Sequence, residues 1–281
     1  MTGVPFVLPA LAVLALLILF PVIYTGVLSV TNEQGVFVGL ANYRAVAEGR
    51  LTATAVWNTV YFVGGSIVFQ VVLGTLAGIF LNQQFRGRAV LRSLALIPWV
   101  VPGIVAATMW AWMLHTEFGI VNHLLTSGGV VDRSVGWLTD PDIVMPALIA
   151  INVWKLFPFV ALMVLAGLQT VPHELYESAR VDGASFGDEI RHVMLPQIRP
   201  VLVSVTLLLM IWGLNAITII YTITRGGPAN RTLVLPIYIY RQAFEAFAFH
   251  QAAALSAMFF VFSLVLVWLY LHAFAAQEGR P

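Results

Sequence analysis

Lys155 is the only lysine in the chain, and it stands inside an otherwise apolar run, ALIAINVWKLFPFVALMVL. An ammonium at the centre of a membrane span costs about 2.5–3.5 kcal/mol on insertion scales. The interface lies roughly 15 Å from the midplane, farther than a lysine stem reaches. Lys155 therefore calls for a water-filled cavity, a neighbouring subunit or a hydrogen bond between helices. Asn152, three residues earlier, shares its helix face. Both side chains donate hydrogen bonds, so the pair can hold hydroxyl groups or an anion.

A second concentration of polar groups is the stretch ELYESARVDGASFGDEIRHVMLPQIRP, residues 174–200, which carries eight ionised side chains. Pro172 suits the first turn of a helix and Gly183 its end. Ser185 followed by Asp188 resembles a capping box with Asp in place of Glu. Phe186, Ile190 and Val193 then fall on one face at helical spacing. The expectation is a helix–turn–helix with one apolar and one charged face. It serves either as an interfacial connector between two spans or as a docking element for a soluble partner.

The elements around these residues must lie in a membrane. The chain is 60% hydrophobic and 10% charged, against about 25% charged in a soluble domain. A span needs roughly 20 apolar residues. Six segments qualify, about 5–30, 56–81, 90–114, 143–168, 200–223 and 250–274. Backbone groups in lipid must pair internally, so the expected fold is an all-α integral membrane protein with six transmembrane helices in a single domain, 1–281. The first apolar run has no basic residue before it, so we read it as a retained helix and not a cleaved signal. Arginines decide orientation only weakly. Arg86, Arg88, Arg92, Arg180, Arg191, Arg199 and Arg280 fall on one side, and Arg44, Arg50, Arg133, Arg225, Arg231 and Arg241 on the other. The tight cluster QFRGRAVLR favours the first side, and both termini with it, as cytoplasmic.

Several chemistries drop out. A net charge of +1 gives no basic field for nucleic acid. The chain has no cysteine, hence no disulfide or thiolate ligand. No G-x-x-x-x-G-K-[ST] is present, so nucleotide phosphates cannot be cradled in that manner. A proton-coupled carrier is expected to bury carboxylates in its spans, and all thirteen fall in loops, at helix ends or in the tail. His115 and Glu117 suggest no metal site, since no further ligand lies nearby.

The stretch ESARVDGASFGDEIRHVMLP resembles the EAA loop of ABC importer permeases, with matching spacing at Glu177, Ser178, Ala179, Gly183, Val193, Leu195 and Pro196. Ser178 and Val193 replace the usual Ala and Ile. In order, FRGRAVLRSLALIPWVVPGIVAATMWAWML, FGIVNHLL, NVWKLFPFVALMVLAGLQTVP and TRGGPANRTLVLPIYIYRQAF are similar to MalF-like sugar permeases, over about residues 50–275. The resemblance implies a type I importer permease whose loop 169–199 is a cytoplasmic coupling helix. Glu177, Ser178, Ala179, Asp182, Gly183, Leu195 and Pro196 would seat it in an ATPase. It implies a second homologous permease and two copies of a cytoplasmic ATPase that carry the ATP and Mg. An extracytoplasmic solute-binding protein would complete the assembly, in the cytoplasmic membrane of a prokaryote. The chain itself would hold no cofactor and catalyse no covalent step. Family sugar contacts map onto Trp99, Gly103, Asn152, Lys155 and Leu156, and onto Gly213 and Ala216 in the fifth span. The last two replace polar residues, and Asn215 between them is positioned to take over. The implied cargo is a disaccharide such as trehalose. A glycerol-phosphate-like anion is the alternative, and an ATPase-independent secondary carrier a more distant one.

Overall fold

The structure is a computed structural model that describes residues 4–274. Arg280 and both chain ends, which enter the orientation argument, lie outside the described residues. All regular elements described are helical, apart from an isolated bridge between Thr31 and Phe37. The long apolar helices are α1 (Val7–Ser29), α2 (Arg50–Asn82), the bent pair α3 (Arg88–Val100) and α4 (Gly103–Met113), and α5 (Val144–Leu168). The exposed α6 (His173–Val181) follows, then α7 (Arg199–Leu214) and α8 (Thr218–Thr224), and finally α9 (Phe249–Phe274).

The core is the pair α2 and α5. Three glycines of α2 bring the helices together: a Cβ at Gly65, Gly74 or Gly78 would stand 3.0, 2.4 or 2.6 Å from Ile149, Val160 or Val164. Small residues at such spacing let membrane helices approach closely where water supplies no hydrophobic drive. Gln70, between them on α2 and fully buried, donates to the Asn152 carbonyl of α5 at 3.1 Å. With 33 residues α2 is far longer than the expected 56–81 segment. At 1.5 Å per residue it reaches roughly 50 Å, more than a bilayer core. Hydropathy does not see the extra turns because they are polar. Buried Asn58 holds the carbonyls of Asn230 and Leu233 at 3.0 and 3.1 Å, tying α2 to the loop after α8.

The α1 helix is almost entirely exposed apolar surface and leans on α9. Nδ1 of His250 lies 3.0 Å from the Leu28 carbonyl. A carbonyl only accepts, so that nitrogen carries the proton.

The expected third span, 90–114, is not one helix. α3 and α4 diverge by 94°. Val101 and Pro102 between them are extended, at φ −60°, ψ 128° and φ −55°, ψ 141°. Pro102 has no N–H for the Pro98 carbonyl four residues back, and it pushes Val101 out of the helical region. The fifth span is also interrupted, with α7 ending at Leu214 and α8 starting at Thr218.

Candidate functional site

The two breaks meet. Gly103 opens α4 and Thr218 opens α8, and a Cβ on Gly103 would lie 3.3 Å from the Thr218 methyl. A Cβ at Gly103 would require the Thr218 methyl to give by a few tenths of an ångström. Irregular backbone at membrane depth survives only where protein or a water-filled cavity satisfies its polar groups.

Lys155 supplies that satisfaction. Its Nζ donates to the Val101 carbonyl, the acceptor freed at the α3–α4 break. Of the three surroundings that sequence left open for the lysine, the structure realises the bond between helices. One turn further along α5, Phe159 faces Trp99 of α3 with ring centroids 5.6 Å apart. Phe159 also faces Trp212 of α7 at 4.9 Å. Trp99 and Trp212 keep 37% and 39% of their surface exposed. Such half-open rings can cover the apolar C–H face of a sugar. Phe159 and Trp212 escaped the sequence reading because apolar aromatics in a span carry no signal of their own.

The other expected contacts separate. Asn152 is buried against α2, with its carbonyl held by Gln70, while Leu156 is half-buried in the α5 packing. Gly213 is buried, and its Cα faces Val63 of α2, where a Cβ would approach to 3.3 Å. Ala216 packs half-buried on the core. Asn215 is exposed at the α7–α8 break and donates to the Ile211 carbonyl at 2.9 Å.

The charged stretch forms a stiff projection. α6 ends in a complete Schellman motif: Gly183 takes φ +81°, its N–H donates to the Arg180 carbonyl at 3.1 Å, and Ala184 donates to Ala179 at 2.9 Å. The expected capping box is present: Asp188 accepts from the Ser185 N–H at 3.0 Å and from its hydroxyl at 2.6 Å, and the Asp188 N–H donates to Ser185 Oγ. Arg180 then clamps the second helical stretch through Glu189, with Nε and Nη2 at 2.7 and 3.3 Å from its two carboxylate oxygens. The Glu189 side chain is 6% exposed and that of Arg180 65%. A planar guanidinium holding both oxygens fixes orientation as well as distance. This clamp was not anticipated, because Arg180 and Glu189 lie in different helices.

The expected apolar face Phe186, Ile190 and Val193 needs correction. Residues Glu189–Met194 form a π-helical stretch, whose wider turn shifts the register. The buried positions become Glu189, Met194 and Ile198, while Ile190 and Val193 are half-buried and Phe186 is exposed. Val181, 87% exposed, and Phe186 put bare apolar surface on the projection beside the exposed Glu177, Ser178, Asp182, Gly183 and Pro196. Ala179 and Leu195 are half-buried beneath them.

Electrostatics sharpen the picture at two groups. Burial first, then the Glu189 charge, pushes the Tyr176 phenol up, so it is neutral at physiological pH. The Ser185 hydroxyl and N–H hold the Asp188 carboxyl below its ordinary 3.8. A depressed carboxylate stabilises the fold above its unfolded value, and that contribution is lost as pH falls through the folded one. The cap should therefore persist at neutral pH and open only below pH 3.8, as hydrogen exchange at residues 185–189 will report. Asp188→Asn should abolish that acid-dependent step.

Known proteins place this geometry. Residues 70–276 match the model of the "Binding-protein-dependent transport system inner membrane component" family. The chain is 34% identical over 274 residues to the trehalose/maltose transport system permease protein MalF of Thermococcus litoralis, covering 96% of this chain and 92% of that one. It is 31% identical over 276 residues to the sulfoquinovosyl glycerol transport system permease protein SmoG of Agrobacterium fabrum, covering 96% and 89%. In fold it resembles a chain of a bacterial ABC transporter that imports the acidic polysaccharide alginate, with TM-score 0.88 and 23% identity over 98% and 95% of the two chains. This chain, a permease whose third and fifth spans break beside a half-buried lysine and which carries a polar projection at one end, belongs to the family of binding-protein-dependent transport system inner membrane components.

Proposed function

We propose that the chain is the permease subunit of an ATP-driven importer that moves a neutral sugar, a disaccharide such as trehalose, across the cytoplasmic membrane. The observation that carries this reading is the meeting of the two helix breaks beside Lys155, Trp99 and Trp212. These groups offer donors and aromatic faces at one point of the spans. The trehalose/maltose system of the MalF relative supports the disaccharide, and a xylose/arabinose import permease protein, XacH of Haloferax volcanii, 30% identical over 287 residues, supports the wider sugar class.

In this reading the polar projection faces the cytoplasm and seats in an ATPase, one copy under this chain and one under a homologous partner permease. Glu177 and Asp182 meet basic groups there, Val181 and Phe186 fill an apolar cleft, and the Arg180–Glu189 clamp makes the projection move as one body. Closure of the ATPases draws the projections together and opens the sugar site outward to a solute-binding protein. Hydrolysis on those subunits resets it. The permease contributes only different affinities for the sugar in its two states. Trp99, Lys155 and Asn215 are the first sugar contacts, and Gly103 keeps the restarts close.

Lys155 also supports a second reading, in which the cargo is anionic and glycerol-phosphate-like. The test of the main reading is co-purification. Glu177→Lys should lower the amount of ATPase recovered with the chain about tenfold, the effect of some 1.4 kcal/mol, while leaving its melting temperature unchanged. Undiminished ATPase and full uptake in that variant would overturn the docking role.

A further inference from the structure

At the end of the molecule that carries α6, the ends of α2, α3, α5 and α6 enclose a cavity of about 230 Å³. Its titratable lining is Arg88, Arg92, His173 and Tyr176, and no carboxylate among the described residues lines it. Two buried donors there have no partner among the described residues, the Tyr176 hydroxyl and Arg92 Nε. Tyr176 as a whole is 9% exposed. Native proteins rarely leave buried donors unpaired.

Four backbone acceptors near the cavity are already engaged. Arg92 Nη2 holds the Leu81 carbonyl of α2 at 2.9 Å, and the Phe80 carbonyl takes the Gln83 N–H at 3.1 Å. At the end of α5, the Leu165 and Gly167 carbonyls accept from Gln169 and Thr170, both at 3.1 Å. Glu189, the carboxylate whose charge acts on Tyr176, is held by Arg180. Arg88 and His173 are the first residues of α3 and α6, so two helix N-termini add partial positive charge. The cavity thus offers cationic and phenolic donors and positive potential, and its side-chain acceptors are the neutral amides of Asn82, Gln84 and Gln169, with no carboxylate among the described residues lining it to balance the charge.

We propose that this cavity binds a phosphate-bearing anion, either the headgroup of an anionic phospholipid or free phosphate, between Arg88, Arg92, His173 and Tyr176. Phosphate oxygens accept from guanidinium and phenol donors together. The bound anion ties the root of α6 to α3, whose far end carries Trp99 and the break. Occupancy then stiffens the link between the projection and the third span. The inference concerns this chain alone and does not rest on the transport reading.

The test uses the full chain, delipidated in a maltoside detergent, with the melting temperature as readout. Inorganic phosphate is titrated against chloride at matched ionic strength, and phosphatidylglycerol is added in a separate arm against a neutral glycolipid. A rise with phosphate identifies the free anion, and a rise with phosphatidylglycerol alone identifies the lipid headgroup. In either case Arg92→Gln should weaken the apparent affinity roughly tenfold, as loss of a charged hydrogen bond does, and Tyr176→Phe should weaken it less. Should Arg92→Gln fail to fold for want of its Leu81 bond, Arg88→Gln serves, since it leaves that bond in place. Melting temperatures unmoved by both additions, or moved equally in wild type and variants, would overturn the site.

Discussion

Replacing Gly74 by leucine should abolish recovery of folded, monodisperse chain, and Gly74→Ala together with Gly78→Ala should come close to doing so. The reason is backbone proximity. A Cβ at Gly74 meets the Val160 Cβ at 2.4 Å and the Phe157 carbonyl at 3.0 Å, and one at Gly78 meets Val164 at 2.6 Å and the Ala161 carbonyl at 2.9 Å. Rotating a side chain relieves neither, because the obstacles include the α5 backbone and β-carbons. Overpacking costs about 1–3 kcal/mol per site, which outweighs the roughly 1 kcal/mol that Ala gains over Gly within a helix. Two such sites consume much of a total stability of about 5–15 kcal/mol. Gly64 on the same helix is the control, since a Cβ there would have nothing within 4 Å. Gly64→Ala should therefore be neutral or stabilising by thermal melting. If Gly74→Ala melted like Gly64→Ala, the close contact of α2 and α5 would not be what holds the core.

The existence of the spans was readable from hydropathy, because burial in lipid demands little more than a run of apolar residues. Their interruptions were not. Ile97 precedes Pro98 and stays helical, whereas Val101 precedes Pro102 and does not. The local rule applies to both, so the outcome is decided elsewhere. Lys155 offers a donor to the Val101 carbonyl, and Gly103 allows α4 to restart against Thr218. Both partners are distant in sequence. The projection shows the same division. Its turn and cap were legible at Gly183, Ser185 and Asp188, where the chemistry is local. Its buried face was legible only in part: Ile190 and Val193 pack half-buried on the core, but Phe186 is exposed, and the π-helical stretch Glu189–Met194, which leaves no periodic mark, buries Glu189 and Met194 instead. Among the proposed substrate residues, Lys155 stood out by type and Trp99 through the family resemblance. Gln70, Phe159 and Trp212 became visible only with their partners in place.

Lys155→Met should lower uptake by the assembled importer about 10- to 100-fold while leaving assembly intact, and Lys155→Arg should retain part of the activity. Removing the ammonium leaves the Val101 carbonyl unpaired beside a helix break. A buried unsatisfied group costs about 1–3 kcal/mol, and each 1.4 kcal/mol moves a population tenfold. The break then closes toward a straighter span or shifts to find water, and either change moves Trp99 away from Phe159. Arginine restores a donor but places it on a longer planar group, hence the partial rescue. The chain contains no cysteine, so paired labels at Val90 and Met109, both exposed, can report the angle between α3 and α4 directly. The expected result is an altered distance in Lys155→Met and a near-native one in Lys155→Arg. Substrate charge separates the two transport readings. For a neutral sugar the loss is set by the break and is insensitive to salt. If the loss instead appeared only with anionic substrates and shrank as salt rose, Lys155 would be a charge partner for the cargo, and the neutral-sugar reading would fall.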